Sequence, residues 1–272
     1  GKDKDAEHMP LWIVPNKKLS LADMEACTRD HFEGTPFALD NDVAQGDWAM
    51  PYRPTPLEYE VDGKKYFNER PTSTQQTGFS YISQLRSWLP REIGGVTWWG
   101  NDDGNMIAYV PIYCGNTVQP ECFNTPGADA FTFSDKNAFW VCNWVSMVYP
   151  RYGQMFPSLK EVRDSLDKSW IDGQQAVDKH ASELYATDKA AALKYLNNYS
   201  NEKAAQMLTR WKKLATYLIV KYNDMAVKPE KDGKFERTAT GIGVPVRRPG
   251  YSDYMRHELI RQTGDRYKVP ED

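Results

Sequence analysis

An α+β fold, an antiparallel sheet layer covered by helices with a helical C-terminal extension, is predicted by three features of this 272-residue sequence. Residues 72–115 read as two successive strand runs, Gly78 to Trp88 and Gly95 to Tyr113, the second interrupted by the turn-forming Asn101-Asp102-Asp103-Gly104. From Ser134 onward helical spacing of apolar residues takes over. Ahead of both, prolines at 36, 51, 54 and 56 keep a long lead-in extended.

The elements follow in order. Ser20-Leu21-Ala22-Asp23 resembles a capping box, opening an amphipathic helix that should reach about Phe32 and pack Cys27 as a small hydrophobe. Glu58 to Val61 and Lys64 to Asn68 make a hairpin around Asp62-Gly63. After the two central strands, a loop carries Cys114 and Cys122, and a short strand is expected at Ala130 to Phe133. Asn137 to Tyr149 is apolar on nearly every side, so that helix is buried all round until Pro150 ends it. Ser158-Leu159-Lys160-Glu161 forms a second capping box for a helix toward Leu184. Leu193 and Leu196 mark a short helix, and Ala204 to Tyr222 a longer one. A loop rich in Gly, Pro and Lys spans 227–250, and a last helix covers Ser252 to Thr263. Three regions result, 1–70, 71–135 and 136–272, read together as one structural unit.

The chemistry concentrates in the first central strand. Ser80, Gln84 and Arg86 lie two or four apart and project from one face, which Ile82 shares. A hydroxyl, an amide and a guanidinium beside an aliphatic residue suit the floor of a pocket. A solvated outer face of an edge hairpin is the plainer reading of the same spacing. Trp98 and Trp99 beside Asn101 and Asp102 offer a stacking surface next to hydrogen-bonding groups, as a glycan- or peptide-binding module would need.

Composition narrows the function classes. A net charge of −3 and a pI near 5.9 argue against nucleic-acid binding, and no apolar run approaches a bilayer span, so no membrane insertion is expected. Nine Trp and sixteen Tyr suit an extensive interface or a cleft lined with flat side chains. No metal or cofactor is expected, since the four histidines are scattered and no Gly-rich run leads into a helix. Cys114 and Cys122 would close a short disulfide if the protein is exported, and otherwise stand as two reduced thiols. A self-contained thiol site would need Cys114 beside His8 or His31, a pairing that nothing in the spacing favours.

Spelling adds what spacing does not. S-x-x-x-Q-x-R-x-x-L-P from Ser80, G-G-V-x-W from Gly94 and Y-V-P-I-Y from Tyr109 resemble the cysteine-type dipeptidases of peptidase family C69, which are N-terminal-nucleophile hydrolases. EHMPLWIVPNKKLS (7–20), RDHFEGTPF (29–37), YRPTP (52–56), KKYFNERP (64–71), NTPGAD (124–129), WVCNWVSMVYPRY (140–152) and LATYLIVKYND (214–224) extend the resemblance from about Glu7 to about Pro270. It implies part of a four-layer αββα sandwich and hydrolysis of dipeptides by an N-terminal cysteine through an acyl-enzyme. This sequence opens Gly1-Lys2-Asp3, with neither thiol nor hydroxyl at the first position, so the nucleophile-bearing half is expected upstream and this chain is expected to be inactive alone. That half, or a second copy of this chain, would cover the apolar face left open. The resemblance further implies that Arg86 binds a substrate carboxylate or holds the nucleophile's neighbourhood, pointing into a cleft or toward the surface that the missing half leaves, that Gln76, Ser80 and Gln84 orient amides, and that Asn101 donates to the oxyanion.

Overall fold

The computed structural model describes residues 10–270, so His8 and the first three positions of the 7–20 segment lie outside the described residues. Ser20 caps α1 (Leu21–Thr28): its hydroxyl accepts from the Asp23 amide (3.1 Å) while the Asp23 carboxylate accepts from the Ser20 amide (2.8 Å). The helix stops short of Phe32 because Arg29 leaves it, sending its guanidinium across the molecule to Asp167 (2.7 Å). Cys27, expected inside, is exposed.

Asp62 and Gly63 take φ of 51° and 75°, the left-handed pair that a two-residue turn requires, and close the hairpin of β1 (Glu58–Val61) and β2 (Lys64–Phe67). The central sheet is a three-stranded antiparallel meander. β3 (Phe79–Leu85) leads through a single helical turn, α2 (Arg91–Gly94), into β4 (Gly95–Asn101), and β5 (Val110–Tyr113) pairs on its far side. Only glycine fits at 94, where a Cβ would stand 2.5 Å from the Arg86 carbonyl oxygen. Register sets the faces: Ile82 lies opposite Trp98, Tyr81 opposite Trp99, and Thr97 opposite Ile112. The expected strand at 130–133 is reduced to a bridge between Asp129 and Thr132.

Asn137 caps α3 (Ala138–Ser146), its side-chain oxygen accepting from the Trp140 amide (3.3 Å). Pro150 does not end the helical path. It sits in a 3₁₀ turn, Tyr149–Arg151, that runs directly into α4 (Tyr152–Thr187), because a proline in a first turn sacrifices no hydrogen bond. The expected capping box at Ser158 is therefore absent: Ser158 lies inside α4 and its hydroxyl meets that of Tyr222 (2.9 Å). The earlier start brings Tyr152 and Phe156 into a stacked pair with centroids 4.4 Å apart. α5 (Lys189–Tyr222) is likewise one helix where two were expected. Its polar stretch 197–201 is spoken for: Asn197 Oδ1 accepts from the Thr117 and Val118 amides (2.9 and 3.0 Å), and Ser200 Oγ accepts from the Tyr113 amide (3.4 Å). A two-residue hairpin, β6 (Glu230–Lys231) and β7 (Lys234–Phe235), and the Ser252-capped α6 (Asp253–Thr263) complete the chain.

The core lies between one face of the sheet and the long helices. Ile82, Val96, Trp98 and Tyr113 from the strands meet Val141, Trp170, Leu196 and Trp211, all in one contiguous cluster. Each large side chain so buried contributes about 1.5–3 kcal/mol. Mixed helix and antiparallel sheet make the fold α+β, and no helix among the described residues is long and apolar enough to cross a membrane.

The Asn197 clamp gives a direct test. Asn197→Ala strips both amides of the 117–118 loop of their acceptor and should cost about 1–3 kcal/mol. Hydrogen exchange should accelerate at Thr117 and Val118 while the β3–β4 amides keep their protection.

Candidate functional site

The two faces of the sheet differ in kind. The inner face carries Ser80, Ile82, Gln84 and, just past the strand, Arg86, as alternation dictates. The Ser80 hydroxyl shares a hydrogen bond with that of Tyr109 (2.8 Å). Gln84 Oε1 accepts from Trp98 Nε1 (3.2 Å) and from Gln174 Nε2 (2.6 Å) on α4. The Arg86 guanidinium is buried, forked onto the Asp178 carboxylate of α4 and donating to the carbonyls of Ile93 (2.8 Å) and Gly94 (3.3 Å). Tyr113 also donates to Asp178 (2.8 Å). The expectation for Arg86 is a guanidinium turned toward substrate or nucleophile. Here its fork is engaged by a carboxylate that the helical half supplies, and it ties the β3–β4 connection to α4.

Among the described residues the outer face is open along β3, whereas at β5 it is closed over Val110, which lies opposite Trp99 and is buried. Phe79, Tyr81 and Leu85 are exposed, and Trp99 stacks over Phe79 (centroids 4.9 Å apart, 15° between planes) and Tyr81 (6.3 Å, 16°). Asn101 ends β4 on this face, opposite Phe79, with its Oδ1 accepting from Trp99 Nε1 (3.2 Å). Gln76 is exposed in the turn leading into β3, at the same end of the hairpin, its Oε1 accepting from the Thr74 hydroxyl (3.1 Å). Beside this face, at the β5 edge, a hollow of about 480 Å³ opens between the strands and the loop after Cys114. Trp98 is wholly buried, so of the stacking surface that the binding-module reading draws on, Trp99 beside Asn101 is the part that stands on the open face.

Reactive thiols and metal sites can be placed as well. All four cysteines are free, with Cys114 donating to the Arg91 carbonyl (2.8 Å) and Cys122 buried, so the loop is not closed by a disulfide. His31 is buried edge-on against Tyr52, its Nδ1 on Glu33 (3.0 Å), and among the described residues no thiol is hydrogen-bonded to an imidazole. No group of three metal-ligating side chains occurs among the described residues.

What the sequence concealed is the role of Asp102-Asp103-Gly104. These residues read as a surface turn, yet both carboxylates are buried. Asp103 accepts from the hydroxyls of Tyr52 (2.6 Å), Ser73 and Tyr149 (3.2 Å), and from the Asn105 amide (3.2 Å). Asp102, at φ 83°, accepts from the Ser146 hydroxyl (2.6 Å), and burial pushes its pKa up to about 7. Nearby, Arg163 donates to both oxygens of Asn105 (2.7 Å each), and burial with the adjacent Asp167 holds Glu25 at about 7. Hydroxyl groups that close on these carboxylates lie 30 to 51 residues away in the chain, which is why local spacing gave no signal.

Two measurements probe this interior. Because folding raises the Asp102 pKa from 3.8 to about 7, the native state holds that proton more tightly than the unfolded chain. Its contribution is fully present below about pH 4 and is lost as pH rises through 7, with roughly 4 kcal/mol as the upper bound. Asp102→Asn should therefore raise stability in urea at pH 8, and the gain should vanish near pH 4. Asp178→Ala, which leaves Arg86 buried without its partner, should cost about 3–5 kcal/mol, whereas the double change Arg86→Met with Asp178→Leu should recover most of that loss.

Comparison with known proteins gives the arrangement a setting. The sequence model of Peptidase family C69 matches residues 1–165. Probable dipeptidase B of Streptococcus pyogenes serotype M1 is 24% identical over 206 residues, which are 75% of this chain and 39% of that protein. Dipeptidase A of Lactobacillus helveticus is 25% identical over 153 residues, 55% of this chain and 28% of its own length. Probable dipeptidase of Salmonella dublin is 27% identical over 153 residues, 55% of this chain and 30% of its own length. The chain thus spans 39% or less of each of these relatives. With more than half of its length matched, the chain belongs to Peptidase family C69.

Proposed function

We propose that this chain is the sheet-and-helix portion of a dipeptidase whose cysteine nucleophile lies on a segment outside this sequence, and that alone it does not turn over substrate. The observation that carries the proposal is the family membership, with its dipeptidase relatives, joined to a sheet whose outer residues Phe79, Tyr81 and Leu85 stand exposed among the described residues. In the αββα arrangement that the family resemblance implies, a second sheet lies against Phe79, Tyr81 and Trp99. A rival occupant of that face is a second copy of this chain.

In the assembled enzyme, the thiol of the first residue attacks the scissile carbonyl and its own α-amino group takes the proton. The amine product leaves with a proton, and water clears the acyl-enzyme. Asn101 and Gln76, at one end of the β3–β4 hairpin, are the residues of this chain proposed to contact substrate, with the Asn101 amide donating to the developing oxyanion. Gln84 and Arg86 are proposed as positioning residues that hold the hairpin against α4, and Ser80 as one that ties β3 to Tyr109.

The test compares the isolated chain with the full-length parent on unblocked dipeptides, following release of free amine. The parent should turn over, and the isolated chain should fall several orders of magnitude below it. Asn101→Ala in the parent should lower kcat by about 10²–10³-fold. Turnover by the isolated chain that survives Cys114→Ala would defeat the proposal.

A further inference from the structure

We propose that β3 is a docking edge for a second copy of this chain, the two β3 strands pairing antiparallel about a two-fold axis at Ile82. Two three-stranded sheets thereby become one of six strands. The proposal concerns the edge of the sheet and does not depend on the peptidase reading, which concerns its outer face.

Backbone parity decides which groups the edge offers. The Arg86 amide donates to the Gly94 carbonyl (2.9 Å) and the Asp102 amide to the Gly78 carbonyl (2.9 Å), and both pairs continue the register of β3 with β4. The residues that exchange bonds with β4 are therefore the even-numbered ones. Phe79, Tyr81, Ser83 and Leu85 turn their N–H and C=O groups the other way. β3 is the end strand of its sheet, and among the described residues no other backbone group pairs with these four.

The opposite edge is closed. The Cys114 amide donates to the Gly95 carbonyl (2.9 Å), so the outward positions of β5 are Pro111 and Tyr113. Proline has no N–H to offer, and the Tyr113 amide is taken by Ser200 Oγ (3.4 Å). β3 carries none of the devices that keep an edge single. It has no charge, no proline and no bulge in a register continuous from Phe79 to Leu85, and the side chains at 79, 81, 83 and 85 are all exposed. An edge that is long, uncharged and open calls for a partner strand.

The strand is complementary to itself. With the axis at Ile82, Tyr81 faces Ser83 of the second copy and Phe79 faces its Leu85, and each pair, outward on both strands, exchanges two bonds. The four pairs give about eight backbone hydrogen bonds, within the roughly 5–15 of a specific interface. Phe79 and Leu85, 55% and 82% exposed in the single chain, cover one another, and no like charges meet along the strands. A slip of two residues either way leaves Phe79 or Leu85 without a partner, so one register is favoured.

Sedimentation equilibrium of this chain, with hydrogen exchange read amide by amide, tests the edge. A dimer is expected, in which the Phe79, Tyr81, Ser83 and Leu85 amides exchange slowly when concentrated and fast on dilution. The Ser80, Ile82 and Gln84 amides should not respond, and they report that the strand stays folded in the variants. Position 83 and its copy lie on a diagonal about 7–8 Å apart, within reach of long side chains. Ser83→Lys and Ser83→Glu should each weaken dimerisation about tenfold, and an equimolar mixture of the two should recover a heterodimer. A chain that is monomeric at every concentration, or a dimer whose four outward amides exchange as in the monomer, would overturn the proposal. A Ser83→Lys variant that dimerises as the wild type, or a mixture that recovers no heterodimer, would do the same. So would a full-length parent that protects these amides while it sediments as a monomer, because a strand of its own would then hold the edge.

Discussion

The structure hangs on a row of buried polar groups along α4. Arg163, Asp167, Gln174 and Asp178 recur at helical spacing, and each engages the β half of the molecule: Asn105, the Tyr109 amide with Arg29, Gln84, and Arg86 with Tyr113. Charges taken out of water return little net stability unless every lone pair and proton is met, but they tolerate few alternative partners. An apolar helix face would slide over an apolar sheet at small cost. This one is pinned at four points, and the pins place β3 and β4 where their other face is presented.

That arrangement separates support from presentation by the two-residue period of the strand. Ser80, Gln84 and Arg86 turn inward and are engaged by Tyr109 and by α4, whereas Phe79, Tyr81 and Trp99 turn outward and stack on one another. Asn101 and Gln76 sit where the hairpin ends and the alternation stops, so they escape both fates.

Much of this was legible in the sequence and some was not, for identifiable reasons. The capping box at Ser20, the Asp62-Gly63 turn and the strand parity are local, and local chemistry reads directly. The helices were harder. Pro150 and the polar run around Asn197 look like breaks, yet the proline falls in a first turn and the asparagine pairs with a loop 80 residues away. The Asp102-Asp103 pair failed for the same reason in reverse, since its partners Tyr52, Ser73 and Ser146 lie far along the chain. Of the site, parity told that Ser80, Gln84 and Arg86 share a face but not which layer that face would meet.

The order of the pins along the chain has a consequence for biosynthesis. Arg86 leaves the ribosome 92 residues before Asp178, its partner. At roughly 5–20 residues per second, the nascent sheet waits about 5–20 s with an unpaired guanidinium on one side and a bare aromatic stack on the other. During that interval neither face of the sheet is closed, and the segment resembles the exposed, unpaired strands on which chaperones act. Synonymous codons that slow translation between residues 113 and 178 would lengthen that window, so yield rather than final stability is where such changes would register.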